Sequence, residues 1–372
     1  MLLLAALTPA PQWSAVVGEG YSSPVVNEKT VCVLSRKGNN EVVTCFDRAS
    51  GKVAWRDEYA APFTKNQYAS GMAPGPFSTP MVARGTLFTL GVSAHLRAYD
   101  LATGKLKWRR TPPIAVATSK MFCGTAMTPF FDENQNRLIV FWGDDGAGEL
   151  ASLDPATGKT VWAYTGEHPV YSNIVVAVIA GTRQYITLGE RTAFAVDAAA
   201  GKLLWQVDFR DDYNENAVTP VVTGDTVILS SVRKPTAAYT ITRTGAGWEA
   251  KRKWVNAELP MYLSNPVLVG DRLYGLSSRS KGTLFALDIR TGKTLYKSEG
   301  RYADNAQFLV EGQKLYAMTT QGEWITLDIS GAAPVERARF EASKTQVWAK
   351  PALAGRQLFI KDETSLRAFG LP

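Results

Sequence analysis

One segment recurs along this 372-residue chain, and an internal repeat constrains a fold more tightly than any single predicted element. Its clearest copy reads Phe46-Asp47-Arg48-Ala49-Ser50-Gly51-Lys52-Val53-Ala54-Trp55. It returns as Tyr99-Asp100, Thr103-Gly104-Lys105 and Trp108, and again as Leu153-Asp154, Thr157-Gly158-Lys159 and Trp162. Val196-Asp197, Ala200-Gly201-Lys202 and Trp205 form another copy. Leu287-Asp288, Thr291-Gly292-Lys293 and Tyr296 form one more, with Tyr in the Trp place. The period is about 40 to 55 residues, the length of a propeller blade.

Each part of the repeat has a physical task. The Asp carboxylate accepts N–H bonds from the turn that follows, and the Gly four places on supplies the positive φ of a turn plus bulge. Apolar and polar residues alternate on both sides, as in Leu96-Arg97-Ala98-Tyr99 and Lys105-Leu106-Lys107-Trp108, so both flanks read as strands. A single blade cannot bury its own flat faces. Trp13, Trp55, Trp108, Trp162, Trp205, Trp254 and Tyr296 are therefore expected to dock each blade onto its neighbour.

A second landmark precedes each hairpin: a polar residue, often followed by Pro, then β-branched residues. It occurs eight times, beginning at Ser23, Thr79, Thr128, Asn173, Thr219, Asn265, Gln307 and Lys350. Pro is tolerable there if the strand is just starting or has a free edge. Two blades lack the Asp-Gly-Trp signature. One, from Val218 to Trp254, is expected to carry an irregular hairpin, and the other keeps only Leu327-Asp328. The last blade, from Lys350-Pro351 to Phe369, is one strand short, and Gln12 to Val17 has the strand character to complete it. The expected architecture is all-β: an eight-bladed β-propeller of four-stranded antiparallel blades over residues 12–372. The 31 Gly, 19 Pro and 10 Trp suit such a turn-rich fold.

The hairpin resembles the Ala-x-Asp-x-x-Thr-Gly-x-x-x-Trp motif of the pyrroloquinoline-quinone (PQQ) repeat superfamily, and the likeness covers nearly the whole chain. That superfamily includes quinoprotein dehydrogenases. It also includes the non-enzymatic barrel-assembly-machinery lipoprotein that helps insert outer-membrane proteins, the member nearest to this chain in size. The resemblance implies the fold and leaves two functions. The leading one is an exported binding or protein-interaction scaffold, with envelope or outer-membrane protein assembly as its setting. The alternative is a PQQ-dependent dehydrogenase oxidising an alcohol or sugar. That enzyme would need calcium, a carboxylate base and flat groups around the quinone, for which Asp304, Asn305, Asp212, Asn214 and Trp348 are the nominees. Family members that use PQQ in an alcohol dehydrogenase usually carry adjacent cysteines beside the cofactor and large insertions, and neither feature occurs here. The leading reading assigns no catalytic residue, metal or cofactor.

The candidate ligand site is the channel rim at the starts of the inner strands. Every blade offers a polar group there: Ser23, Thr79, Thr128, Asn173, Thr219, Asn265, Gln307 and Lys350. Tyr21, Phe77, Tyr171 and Trp348 stand two positions earlier, and Asp304 and Asn305, near Arg301, could add a carboxylate and an amide. Such a rim suits a small molecule or an extended peptide. The same polar groups could instead cap strand starts while the aromatics pack between blades. The long connection from Arg56 to Pro76 is a second candidate surface. Asp211-Asp212-Tyr213-Asn214-Glu215-Asn216 has calcium-like spacing but lacks the downstream Gly and Glu, so it reads as a turn, as does Gly143-Asp144-Asp145-Gly146.

The net charge of +7 favours acidic partners in general, but the Lys and Arg residues are scattered, which argues against a nucleic-acid face. The two His, His95 and His168, have no nucleophile motif beside them. Cys32, Cys45 and Cys123 form no haem or zinc pattern. Cys32 and Cys45 flank a turn near Gly38 and either pair across two strands or sit as small buried residues. Residues 1–11 resemble the apolar core and small-residue end of a secretory leader without a basic start, and read as a leader remnant or disordered N-terminus. A soluble mature domain outside the cytoplasm, periplasmic or otherwise exported, is expected, with a protein or small molecule as its partner.

Overall fold

Each intact repeat closes a hairpin through its Asp. In the first copy Ser50 N–H donates to Asp47 Oδ1 at 2.8 Å, and Gly51 N–H donates to the Asp47 carbonyl at 2.9 Å. The same pair recurs at Asp100, Asp154, Asp197 and Asp288. In this computed structural model, which describes residues 9–69, 71, 73–112, 121, 123–144, 146–279 and 282–371, these hairpins organise eight four-stranded antiparallel sheets. Each is one blade of an eight-bladed β-propeller. Blade 1, for example, runs Val25–Val26, Thr30–Lys37, Asn40–Asp47 and Val53–Ala60 in spatial order. The first strands of adjacent blades lie against each other around the axis, as Val25–Val26 does with Ala352–Ala354. Pro24, Pro80, Pro129, Pro220, Pro266 and Pro351 each stand immediately before a first strand, where the missing N–H removes no ladder bond.

The ring closes between its two ends. Trp13–Val16 pairs antiparallel with Ser365–Gly370 in the register Trp13 to Ala368 and Val16 to Ser365, supplying the fourth strand of blade 8. Lys361 seals the joint from inside: its buried ammonium donates to the carbonyls of Gly18, Gly20 and Glu363. Residues 1–8, most of the expected leader, lie outside the described residues.

At five of the eight seams, docking between blades is a contact between one indole and one glycine. Trp13, Trp55, Trp108, Trp162 and Trp254 each donate their ring N–H to a turn carbonyl of the next blade, those of Arg48, Leu101, Pro155, Ala198 and Ile289. The ring then covers the turn glycine so closely that a Cβ on Gly51, Gly104, Gly158, Gly201 or Gly292 would lie 2.3–2.8 Å from it. Trp205 departs from this pattern. The blade after it has no Asp-Gly turn to receive an indole, and Trp205 bonds Gln184 Oε1 of its own blade at 2.8 Å. Its ring still packs with Val227, Leu229 and Ile241 of that next blade. Tyr296 packs against the apolar cluster shared by blades 6 and 7. The hairpin expected to be irregular, in blade 5, is instead a long regular ladder of Thr236–Thr244 with Gly247–Asn256, bulged once between Ala238 and Tyr239. Its β-branched and aromatic residues sustain pairing well beyond the blade edge.

Cys32 and Cys45 face each other in the register of blade 1 and form a disulfide. The bond cross-links the two central strands of that sheet.

Polar bolts cross two seams. Glu41 of blade 1 is fully buried, accepting the Tyr59 hydroxyl at 2.8 Å and the Val92 N–H of blade 2 at 2.7 Å. Burial raises its pKa, outweighing those bonds and the nearby Arg36 and Arg97. A carboxyl whose pKa is higher folded than unfolded gives stability that is complete below the unfolded value and is lost as pH rises through the folded one. Glu41→Gln mimics the neutral acid. Urea unfolding should find it more stable than the parent at pH 8 and within about 1 kcal/mol of it at pH 4. An equal loss at both pH values would contradict this account.

Candidate functional site

The residues leading into the eight inner strands converge on one cavity of about 180 Å³, lined by Tyr21, Phe77, Cys123, Ala126, Tyr171, Glu215, Ala217, Tyr262, Leu263, Gln307 and Trp348. Every blade contributes at least one of them, which places the cavity at the mouth of the central channel. The reason is a shared offset. Tyr21, Phe77, Ala126, Tyr171, Ala217, Leu263 and Trp348 each stand two residues before the polar position of their blade, so the same backbone path aims each at the axis.

The four aromatics expected at the rim, Tyr21, Phe77, Tyr171 and Trp348, are thus brought together. Tyr21 is 3% exposed and packs against Phe77 at 5.6 Å and edge-on to Trp348 at 6.4 Å between ring centroids. Its hydroxyl donates to Glu363 at 3.4 Å and accepts the Ala73 N–H at 3.3 Å. Burial raises its pKa. Tyr171 accepts the Cys123 N–H at 3.4 Å. The connection after blade 1 folds over this face. Its first residues belong to the strand that runs to Ala60, and beyond it Phe63 lies against Gly124. Ser70 and Met72 of that connection lie outside the described residues, as does Asp145 of the second expected acidic turn.

The sequence pattern missed Glu215, Tyr262 and Cys123. Tyr262 stands beside Glu215, and burial together with that carboxylate raises the phenol's pKa. Burial, with Glu215 adding to it, pushes the Cys123 thiol up to about 12. These three residues sit three to five places ahead of the polar positions, in lead-ins without periodicity.

Of the polar positions, Gln307 alone reaches the cavity. Most of the others stitch neighbouring blades together. Thr128 Oγ1 accepts Thr79 N–H at 3.3 Å, Asn173 Oδ1 accepts Thr128 N–H at 2.8 Å, and Asn265 Oδ1 accepts Thr219 N–H at 2.7 Å. Ser23 Oγ accepts Lys350 N–H at 2.8 Å across the closing seam. Lys350 keeps solvent access, yet the protein around it lowers its ammonium pKa. The strand-capping duty therefore occupies the side chains of Ser23, Thr128, Asn173 and Asn265.

Asp304 and Asn305 line a separate cavity with Tyr262, Ser264, Ser277 and Ser278. Asp304 is ion-paired with Arg301 and accepts the Gln321 amide. The acidic hexapeptide folds as a turn: Asp211 Oδ1 accepts Tyr213 N–H at 3.0 Å, and buried Asn216 donates to the Gly189 and Phe209 carbonyls. The groups nominated for a quinone and calcium thus fall in three places. Trp348 is at the mouth, Asp304 and Asn305 are in the neighbouring cavity, and Asp212 and Asn214 are on the hexapeptide turn. They do not form one donor set that fits that pair. Among the described residues, no group of three or more His, Cys, Asp or Glu gathers at metal-binding distance.

Asp-Gly hairpins docked by indoles, repeated around a closed ring of eight blades with an aromatic mouth, define a PQQ-type repeat propeller. The chain belongs to the family described as Outer membrane protein assembly factor BamB, whose family model matches residues 39–298 and, in a second overlapping placement, 146–369. The BamB of Shewanella oneidensis is 23% identical over 327 residues, covering 87% of this chain and 69% of that protein. A quinohemoprotein alcohol dehydrogenase, ADH IIB of Pseudomonas putida, is 28% identical over 142 residues, which cover 35% of this chain but 19% of the enzyme. Among solved structures, BamB from Moraxella catarrhalis superposes with a TM-score of 0.68 at 16% identity, covering 98% of this chain and 100% of that one, a likeness of fold.

Proposed function

We propose that this protein is a non-enzymatic propeller scaffold in outer-membrane protein assembly, working in the periplasm and holding a protein partner of the assembly machinery without a cofactor. The observation that carries this reading is the extent of the family match, which runs from residue 39 to residue 369 and so takes in nearly every blade. The likeness to the alcohol dehydrogenase stops at a fifth of that enzyme's length. The Cys32–Cys45 disulfide fits an oxidising compartment outside the cytoplasm. Among the described residues no helix is long and apolar enough to cross a membrane.

Deletion of the gene in its own host tests the role directly. The yield of folded outer-membrane β-barrels, read by heat-modifiable electrophoretic mobility, should fall and return on complementation. The tagged protein should also co-purify with the barrel-assembly components from detergent-solubilised envelopes. Normal barrel yield, accompanied by saturable PQQ and calcium binding and dye reduction by the purified protein, would replace this reading with the dehydrogenase.

A further inference from the structure

We propose that the cavity at the channel mouth binds an organic monocation, an alkylammonium or guanidinium head presented by a free small molecule or by a lysine or arginine side chain. This goes beyond the assembly role and stands or falls separately from it.

Three observations converge on that chemistry. First, the walls are aromatic: Tyr21, Phe77, Tyr171, Tyr262 and Trp348 all line one small space. Aromatic faces carry negative quadrupole potential, and several around one point attract a cation, the more so where water is largely excluded. Second, the charge in the walls has one sign. Glu215 is the single carboxylate among the described lining residues, which include no Lys or Arg. The chain as a whole carries +7, so this negative spot opposes the field around it. A site selected for anions or for apolar groups alone would not place a carboxylate there, because desolvating an unpaired charge is costly. Third, the neighbour that Glu215 meets inside the walls is neutral: the Tyr262 phenol, which lines the same cavity and whose pKa that carboxylate helps to raise. At about 180 Å³ the space admits one head group, and the open channel side gives the rest of a ligand somewhere to lie.

Cys123 provides the reporter, and because its raised thiol pKa lowers the thiolate fraction for every reagent alike, the ratio of rates carries the reading. It lines the same cavity and is the free cysteine, since Cys32 and Cys45 are joined. Purified full-length protein is treated with trimethylammonium-ethyl and sulfonato-ethyl methanethiosulfonate, each rate being normalised to that reagent's rate with free cysteine. The +7 net charge alone would favour the sulfonate. The proposed site reverses this, giving roughly a tenfold or greater preference for the cationic reagent that falls to about onefold in Glu215→Gln. Choline should protect Cys123 at millimolar concentration, and its neutral isostere 3,3-dimethylbutan-1-ol should protect about fivefold more weakly or worse. N-acetyl-lysine amide and N-acetyl-arginine amide, run as competitors, separate the sources: protection by them points to a partner side chain, and protection by choline alone points to a free metabolite. Equal protection by choline and its isostere, no protection by any cation, or a preference for the sulfonate would each overturn the assignment. If Glu215→Gln fails to fold by circular dichroism, the comparison of choline with its isostere on the parent protein decides alone. Failure of the assembly test would leave these rates unchanged.

Discussion

Gly104→Ala is expected to cost about 3–4 kcal/mol of unfolding free energy, measured as a shift in the urea midpoint at constant slope. Two penalties add at this position. The residue has φ of +72°, a region where a Cβ costs about 1–2 kcal/mol. A methyl there would also stand 2.5 Å from the Trp55 ring, and overpacking of that kind costs a further 1–3 kcal/mol or so. Gly38 is the control, because its φ is +58° but nothing lies within 4 Å of a Cβ. Gly38→Ala should cost only the backbone share, about 1 kcal/mol. In the double variant Gly104→Ala/Trp55→Leu the costs should be less than additive, since the smaller side chain yields the space the methyl needs. Equal losses at Gly38 and Gly104 would show that blade docking does not depend on the contact between indole and glycine.

That contact also explains why the fold was readable from the chain. Asp, Gly and Trp act within a single hairpin and its neighbour, so their spacing is preserved in sequence and repeats with the blades. The first-strand prolines mark strand starts for an equally local reason. Where a blade lost the turn, the reading weakened in a predictable way. Without an Asp-Gly turn to receive it, Trp205 bonds Gln184, a choice made by a side chain on another strand of its own blade. The long ladder from Thr236 to Asn256 passed for irregular because its turn lacks the repeat's signature, although its strands alternate well. At the mouth, the offset of two residues found Tyr21, Phe77, Tyr171 and Trp348, because those positions share one backbone path. Glu215, Tyr262 and Cys123 stand on irregular lead-ins, where no period predicts direction. The polar positions were visible for the opposite reason. Ser23, Thr128, Asn173 and Asn265 recur because each blade must satisfy the neighbouring N–H, so their regularity reports architecture rather than a ligand.

Asp132→Ala is expected to be the other severe substitution, at about 3–4 kcal/mol at pH 7, because it breaks a buried ion pair across the seam of blades 3 and 4. Asp132 has no exposed surface and takes two bonds from the Arg183 guanidinium, at 2.7 and 2.8 Å, and one from the Tyr185 hydroxyl at 2.8 Å. Removing it leaves a buried phenol and a guanidinium that is 22% exposed without their acceptor. Burial alone would raise the Asp132 pKa, but the Arg183, Tyr185 and Gln135 donors together hold it below the ordinary carboxylate range. The pH slope is therefore opposite to that of Glu41. A depressed carboxyl contributes stability that is complete above its unfolded pKa, near about 4, and is lost as pH falls through the folded value. The gap between parent and Asp132→Ala, followed by urea unfolding from pH 7 downward, should narrow in acid, and Tyr185→Phe should cost about 1 kcal/mol at pH 7. A gap that stayed constant into acid would mean the seam is held by packing around Tyr185 rather than by the charge. With the Asp132 bolt complete only above the ordinary carboxylate pKa and the Glu41 bolt complete only below it, the two together are strongest near that value, about pH 4, and the Glu41 share declines from there toward neutral pH.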